Sequence, residues 1–343
     1  MITTDVVIVG AGPCGLFQVF ELGLLGLKSE VIDSIRQPGG QCSELYPDKP
    51  IYDIPGIPVC TGEELTESLM KQIEPFGAGM HLGEEVSVVR PDGDAFFVET
   101  DAGTQFTAKA VVIAAGVGSF QPRALRAKGI EDLNEASVQY RVRDPQQYAG
   151  KKLAILGGGD SALDWVIELA PVAERITLVH RRDEYRAVDA SVAAMRELVA
   201  AGKMDVIENA KVSELQHEGG TLRKVIVGNK SGETFEVEAD HALVFFGLAP
   251  KLGPIAEWGL DINRKTINVD TERFETSTPG IYAIGDINHY PGKKKLILCG
   301  FHEAALAAFA IKQRIEPDKK VHVQYTTTSP IMHERLGVSD ENE

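Results

Sequence analysis

The sequence predicts an α/β chain of two Rossmann-like nucleotide-binding domains, the second inserted into the first. Three observations predict it. Two glycine fingerprints open at Gly10 and Gly157, each after a short apolar run. Each is followed by a strand-rich segment and an apolar strand that runs into glycine. A further short apolar strand ends late in the chain at Gly285-Asp286.

The first fingerprint is DVVIVGAGPCG. Val6 to Val9 read as a buried parallel strand. Gly10, Gly12 and Gly15 complete G-x-G-x-x-G. Gly10 allows a tight turn, Gly12 lets the backbone approach a pyrophosphate, and Gly15 lets the next helix pack closely. A second apolar strand ends at Asp33, about 20 residues on, where a carboxylate can hold ribose hydroxyls.

The second copy is KLAILGGGDSALDW, with Gly157, Gly159 and Ala162 in G-x-G-x-x-A. Asp160 and Ser161 open its helix, beside the expected pyrophosphate. The next strand, 175–179, ends at His180, with Arg181 and Arg182 after it. The acid of the first copy is missing. A carboxylate repels a 2′-phosphate, whereas guanidinium groups bind one. The first site therefore suits an adenine dinucleotide with a free ribose, and the second suits NADP(H). A solvated helix start is the alternative reading of the arginine pair. Tyr185 and Arg186 continue the segment as packing or ribose contacts.

Residues 84–113 carry EVSVVR, AFFVET and KAVVIAAG, and residues 206–245 repeat that pattern. This reads as a distant internal duplication. The later TSTPGIYAIGDI matches a second FAD fingerprint, with Asp286 at the ribityl or pyrophosphate region. A helix-like run follows at 300–309, its positive N-terminal end suited to a flavin pyrimidine ring. The expected boundaries are 1–116 and 248–330 for the FAD domain, 117–247 for the NADP(H) domain, and 331–343 for a C-terminal tail. Residues 336–343 are expected to be disordered. Both crossings are rich in Gly or Pro, which suits a hinge.

Composition narrows the function further. The chain has 343 residues, and 35 basic against 50 acidic residues give a formal charge of −15. That balance argues against broad nucleic-acid binding. No apolar run approaches the roughly 20 residues that cross a bilayer, and the first residues lack the basic region of a signal peptide. Cys14, Cys42, Cys60 and Cys299 form no C-x-x-C and no metal-ligand spacing. A cytoplasmic protein binding neither metal, membrane nor nucleic acid is the expectation.

The combination GGQ-x-x-x-LYP, IYDIPG, GGGDSA-x-DW, HRRD-x-YRA and LGPI-x-x-WGLDI spreads over both halves. It resembles the ferredoxin/flavodoxin–NADP⁺ reductases of the thioredoxin-reductase-like type. The resemblance implies FAD and NADP(H) as cofactors and a homodimer. It implies that Gln41 contacts the flavin and that Tyr46 stacks on one flavin face. Asp33, Val86, Phe120, Asp286 and Thr327 fall at FAD-contacting positions of that family. Tyr325, in the tail, matches an aromatic that covers the other face of the partner subunit's flavin.

Thioredoxin reductases of this architecture carry C-x-x-C just before the second fingerprint. Here residues 136–159 hold no cysteine. Glutathione-reductase-like enzymes pair a cysteine placed like Cys42 with one five residues on, where this chain has Pro47. A two-electron disulfide relay needs an attacking and a resolving thiol.

Three readings follow. The first is a reductase passing electrons between NADP(H), which exchanges hydride, and ferredoxin or flavodoxin, which exchange single electrons. It needs no acid or base: Tyr46 and Tyr325 act by stacking, and Tyr325 is the ring that moves aside. Lys293, Lys294 and Lys295 are its candidate docking patch, with Lys319 and Lys320 a second; both also read as solvated surface. The second is an NADPH-dependent disulfide reductase using Cys42. The third is a flavin-binding redox sensor without turnover.

Overall fold

The computed structural model describes residues 1–338 except Glu135, Arg143 and Lys230; the side chains of 119–122 and 248–250 also lie outside the described set. The chain divides into two compact units, Met1–Ser119 with Pro250–Glu343, and Phe120–Ala249.

The first unit opens with β1 (Ile2–Val9), α1 (Pro13–Leu24) and β2 (Ser29–Asp33). β1 lies between two parallel neighbours, so Val6, Val7 and Ile8 are fully buried. Burial on both faces explains a continuous apolar run instead of an alternating one. α1 takes Gly12 as N-cap and Pro13 in its first turn, where a missing N–H costs nothing. Next come α2 (Gln41–Leu45), α3 (Gly62–Ile73), β3 (Gly79–Leu82), β4 (Val86–Asp92), β5 (Ala95–Thr100) and β6 (Gln105–Ile113). α3 starts from a capping box. Thr61 Oγ1 accepts the Glu64 amide at 3.1 Å, and Glu64 Oε2 accepts the Thr61 amide at 2.8 Å.

The second unit holds β7 (Val138–Gln139), β8 (Lys152–Gly157), α4 (Asp160–Leu169), β9 (Arg175–Val179), α5 (Asp189–Ala200) and β10 (Met204–Ile207). An antiparallel sheet of β11 (Ala210–Glu218), β12 (Thr221–Asn229) and β13 (Thr234–Glu238) follows, then β14 (His241–Phe245). The main sheet runs β7-β14-β8-β9-β10, all parallel.

The chain returns to the first unit with β15 (Ile281–Ala283), α6 (Ile297–Ile315) and α7 (Pro330–Leu336). β15 pairs in parallel with the end of β6, Ile281 opposite Val111 and Ala283 opposite Ile113. The parallel part of this sheet therefore runs β3-β2-β1-β6-β15. The first half of β6 also pairs antiparallel with β5.

α6 buries Gly300, Ala304, Ala307, Ala308 and Ile311 along one stripe. These small residues let it lie close to α1; a Cβ on Gly300 would stand 2.2 Å from Cys14 Sγ. The tail expected from residue 331 opens as a helix. α7 is capped by Ser329, buries Met332, and its Arg335 donates to the Leu24 carbonyl at the end of α1. Residues 339–343, within the stretch expected to be disordered, lie outside the described set. No described helix is long and apolar enough to cross a membrane.

Candidate functional site

In the first unit, the fingerprint turn lies at the carboxyl ends of β1, β6 and β15. The three glycines meet different surroundings. Gly10 has φ +115°, and a Cβ there would stand 2.4 Å from the Ala114 carbonyl oxygen. A Cβ on Gly15 would lie 1.9 Å from the Gly10 carbonyl oxygen. A Cβ on Gly12 would meet nothing within 4 Å. The backbone is thus open at Gly12, and no side chain caps the helix that starts there. An open, uncapped helix N-terminus is a ready anion site.

Asp33 ends β2 beside this turn. Its Oδ2 accepts the Ala11 amide at 2.6 Å, and its Oδ1 accepts the Ile35 amide at 2.8 Å. Burial nevertheless pushes its carboxyl above the ordinary carboxylate range. The carbonyl of Asp33 accepts the amides of Gly83 and Glu84, which brings the buried Val86 to the same end of the sheet.

The loop before α2 closes on the fingerprint. The Gly39 amide donates to the Ala11 carbonyl at 2.8 Å. Gln41 Nε2 stands 3.4 Å from the Cβ position of Gly116, at the exit of β6. α3 holds the loop from below: a Cβ on Gly62 would strike the carbonyl oxygens of Cys42 at 2.6 Å and Tyr46 at 2.7 Å. Cys42 is 1% exposed and its Sγ lies 3.7 Å from the Tyr46 hydroxyl. Burial pushes this thiol upward, so it is held protonated. All four cysteines are free.

Asp286 lies in the turn after β15, where burial raises its carboxyl against the opposing pull of Lys295 and Lys293. A Cβ on Gly285 would stand 3.1 Å from Cys14 Sγ, so this turn abuts the start of α1. The structure corrects one part of the docking patch. The Lys293 side chain is only 5% exposed and its ammonium is bonded to the buried Glu303 carboxylate. A cation spent on an internal carboxylate adds nothing to a surface patch. Lys294 and Lys295 are exposed.

Gly10, Gly12, Asp33, Gln41, Tyr46, Val86 and Asp286 thus belong to one end of one unit. Thr327 and Tyr325 are both exposed, Tyr325 by 70%. The side chain of Phe120 lies outside the described residues.

The second unit repeats the turn. Gly157 has φ +154°, and a Cβ on it would lie 2.6 Å from the Phe245 carbonyl oxygen. A Cβ on Gly159 would meet only the Arg186 carbonyl oxygen, at 3.7 Å. His180 follows β9 directly, and a Cβ on Gly158 would strike its ring at 2.2 Å. The His180 ring stacks on Tyr185 at 5.1 Å, and the Tyr185 hydroxyl donates to Glu208 at 2.9 Å. The Arg186 amide donates to the Gly158 carbonyl at 2.7 Å, and Asp160 Oδ1 accepts the Val188 amide at 2.9 Å. These bonds hold segment 181–188 across the start of α4. Arg181, Arg182 and Arg186 are exposed along it, as is Ser161. None of the three guanidinium groups enters an ion pair among the described residues.

One feature escaped the sequence reading. Glu303 is fully buried, and its signal was a charge at the apolar position of α6. Tyr185, expected as a packing or ribose contact, packs on His180 and has Arg196 5.5 Å above its ring.

Residues 4–313 match the sequence profile described as pyridine nucleotide-disulphide oxidoreductase. The chain is 59% identical over 336 residues to "Ferredoxin--NADP reductase 2" of Cupriavidus metallidurans, covering 97% of this chain and 91% of that one. It is 59% identical over 342 residues to "Ferredoxin--NADP reductase" of Methylibium petroleiphilum, covering 98% and 93%. Among solved structures it is similar to T. acidophilum thioredoxin reductase, with TM-score 0.76 at 24% identity, covering 92% of this chain and 100% of that one. Lactococcus lactis thioredoxin reductase gives TM-score 0.75 at 25% identity, covering 92% and 99%.

Proposed function

The chain belongs to the pyridine nucleotide-disulphide oxidoreductase family, and from that premise we propose that it is an FAD-dependent oxidoreductase passing electrons between NADP(H) and ferredoxin. The observation that carries this reading is the 59% identity to ferredoxin–NADP reductases over 97% of the chain. The site chemistry supports it. Cys42 is buried and protonated, and the chain has neither of the two dithiol patterns. A disulfide relay through Cys42 therefore lacks both an exposed thiolate and a resolving thiol.

When bound, FAD accepts a hydride equivalent and releases electrons singly. The residues of the first unit fit that group. The open backbone at Gly12 and the uncapped start of α1 suit its pyrophosphate. Asp33 has each carboxylate oxygen anchored by a backbone amide and can still accept ribose hydroxyls. Gln41 presents its amide beside Gly116, Tyr46 supplies a fixed ring, and Asp286 supplies the second fingerprint. Val86, Phe120 and Thr327 are proposed as contacts on the resemblance alone.

In the second unit, Gly157 and Gly159 shape the turn and Asp160 secures the segment after it. Ser161 stands exposed in the first turn of α4, and His180 covers Gly158. Arg181, Arg182 and Arg186 supply exposed guanidinium groups for the 2′-phosphate of NADP(H). Their segment is braced before any ligand arrives, which lowers the ordering cost of binding.

The exposure of Tyr325 supports its role as a ring kept for a partner subunit in a homodimer, testable by sedimentation. Lys294 and Lys295 remain as the docking pair for an acidic carrier, ferredoxin or flavodoxin. Four free thiols suit a reducing cytoplasm.

The test uses the purified holoprotein with NADPH and follows cytochrome c reduction with and without ferredoxin. Ferredoxin-dependent turnover is expected to survive Cys42→Ser within about threefold, with no turnover on DTNB or thioredoxin. The Lys294→Glu/Lys295→Glu variant is expected to raise the KM for ferredoxin about tenfold at low salt while ferricyanide reduction holds. Activity confined to disulfides and lost with Cys42 would sink the reading.

A further inference from the structure

We propose that Glu303, paired with Lys293, is a positioning residue that fixes the Gly285–Asp286 turn and balances the charge this turn presents to the flavin. The inference rests on the reading of the first unit as the FAD site.

Glu303 occupies the buried stripe of α6, among Gly300, Ala304 and Ala307. A carboxylate in such a place is costly unless its lone pairs are met. Here all its partners come from one short excursion of the chain. Oε2 accepts the Gly285 amide at 2.7 Å and Asn288 Nδ2 at 2.8 Å. Oε1 accepts the Tyr290 hydroxyl at 2.9 Å and the Lys293 ammonium. Asn288 Nδ2 also donates to the Ala283 carbonyl at 3.0 Å, which ties the cluster to the last residue of β15. The whole path from β15 to α6 is thus folded about a single carboxylate.

Stability alone is a poor reason for such an arrangement. A buried ion pair is often no better than apolar side chains of the same volume. A leucine would suit the α6 stripe, but it would offer nothing to the Gly285 amide or to the Lys293 ammonium. What the carboxylate adds is direction. It pins the amide of the residue before Asp286, and so fixes where Asp286 stands. It also places a compensated charge pair beside the start of α6 and the fingerprint helix, where Cys14 packs on Gly285. Charge near a bound redox group sets its potential, and a balanced pair leaves that potential unshifted.

The opposite charges give the test its sign. Glu303→Gln keeps an acceptor for Gly285 but leaves Lys293 uncompensated. Lys293→Met leaves Glu303 uncompensated. Flavin midpoint potentials are measured on the holoproteins by dye equilibration at pH 8. FAD affinity is measured by titrating each apoprotein, with denaturant melts of the apoprotein as the check on folding of the first unit, which holds both residues. The expected result is a higher potential in Glu303→Gln and a lower one in Lys293→Met. The Glu303→Gln/Lys293→Met double variant should return toward wild type. FAD affinity should fall about tenfold or more in each single variant, and the losses should be non-additive in the double. Shifts in the same direction, no shift, or additive losses would each overturn the proposal. If the singles fail the folding check, the double variant decides: wild-type potential and affinity together would overturn it, and loss of affinity would uphold it. A wild-type protein that does not carry FAD would instead remove the reading of the first unit.

Discussion

The two nucleotide units share one sheet order and differ where the second strand ends. In the first, Asp33 closes β2 and binds the Ala11 and Ile35 amides, which leaves a carboxylate beside the glycine turn. In the second, His180 follows β9 and covers Gly158, and the next residues carry exposed guanidinium groups. The scaffold is therefore common property. On the proposed reading, the choice between a free ribose and a phosphorylated one rests on the few residues at the end of a single strand. The units also fill the fifth position of the parallel sheet from opposite directions. In the first unit β15 arrives after the rest of the sheet; in the second, β7 arrives before it. A parallel strand needs only the correct edge and direction, so either end of the sequence can supply it.

The sharpest way to break the comparison is to erase the distinguishing charges. Arg181→Ala/Arg182→Ala would remove the two proposed charge-assisted contacts to the 2′-phosphate, worth about 1.5–3 kcal/mol each. We expect kcat/KM for NADPH to fall by about 10²–10⁴-fold while that for NADH changes by less than about threefold. Steady-state kinetics with both nucleotides checks it; equal losses would show that the arginines support the fold and not the phosphate.

The glycines offer the next largest effect, and they should behave alike in both units. Gly10→Ala forces a Cβ to 2.4 Å from the Ala114 oxygen at φ +115°, and should destabilise the apoprotein by about 2–4 kcal/mol. Gly12→Ala meets open space, so apoprotein stability should move by less than about 0.5 kcal/mol. FAD affinity should nevertheless drop about tenfold or more if, as proposed, the pyrophosphate approaches at Gly12. In the second unit Gly157→Ala should destabilise, and Gly159→Ala should chiefly weaken NADP⁺ binding. Denaturant melts beside ligand titrations separate the two effects.

The smallest effect is confined to the first unit. Burial raises the Asp286 carboxyl above its ordinary value of 3.8. The folded state then holds the proton more tightly than the unfolded chain. Its contribution to stability is full below that ordinary value and is lost as pH rises through the raised one. Asp286→Asn should remove this loss. In apoprotein melts the variant should gain on wild type as pH rises out of the acid range, and the two should differ least at low pH. A gain that appears only on acidification would contradict the assignment.

Much of the fold was legible because the parallel strands are covered on both faces. VVIV, LAIL and VVI are continuous apolar runs for that reason, and the glycine turns punctuate them. β7 was harder, since it is two residues long and pairs with β14, far away in sequence. β15 is only one residue longer, but the Gly285-Asp286 that follows it made it legible. The glycines, Asp33 and the arginine run could be found by spacing. Glu303 could not, since a glutamate in a helix ordinarily marks its solvated face. Lys293 misled for the same reason, as the first of three lysines that read as surface. The two errors have a common cause, because these residues conceal each other's charge.

By itself the sequence determined what repeats locally: the strand–glycine–helix devices, the residue closing each second strand, and the absence of a cysteine pair. Those features act through backbone conformation and covalent spacing, so residue type and separation carry them. The tertiary structure alone decided what depends on distant residues. It buried the Cys42 thiol, left Tyr325 in solvent, braced His180 with Tyr185, and buried Lys293 on Glu303. Exposure and charge pairing are properties of the neighbours that folding brings, and a linear spacing cannot express them.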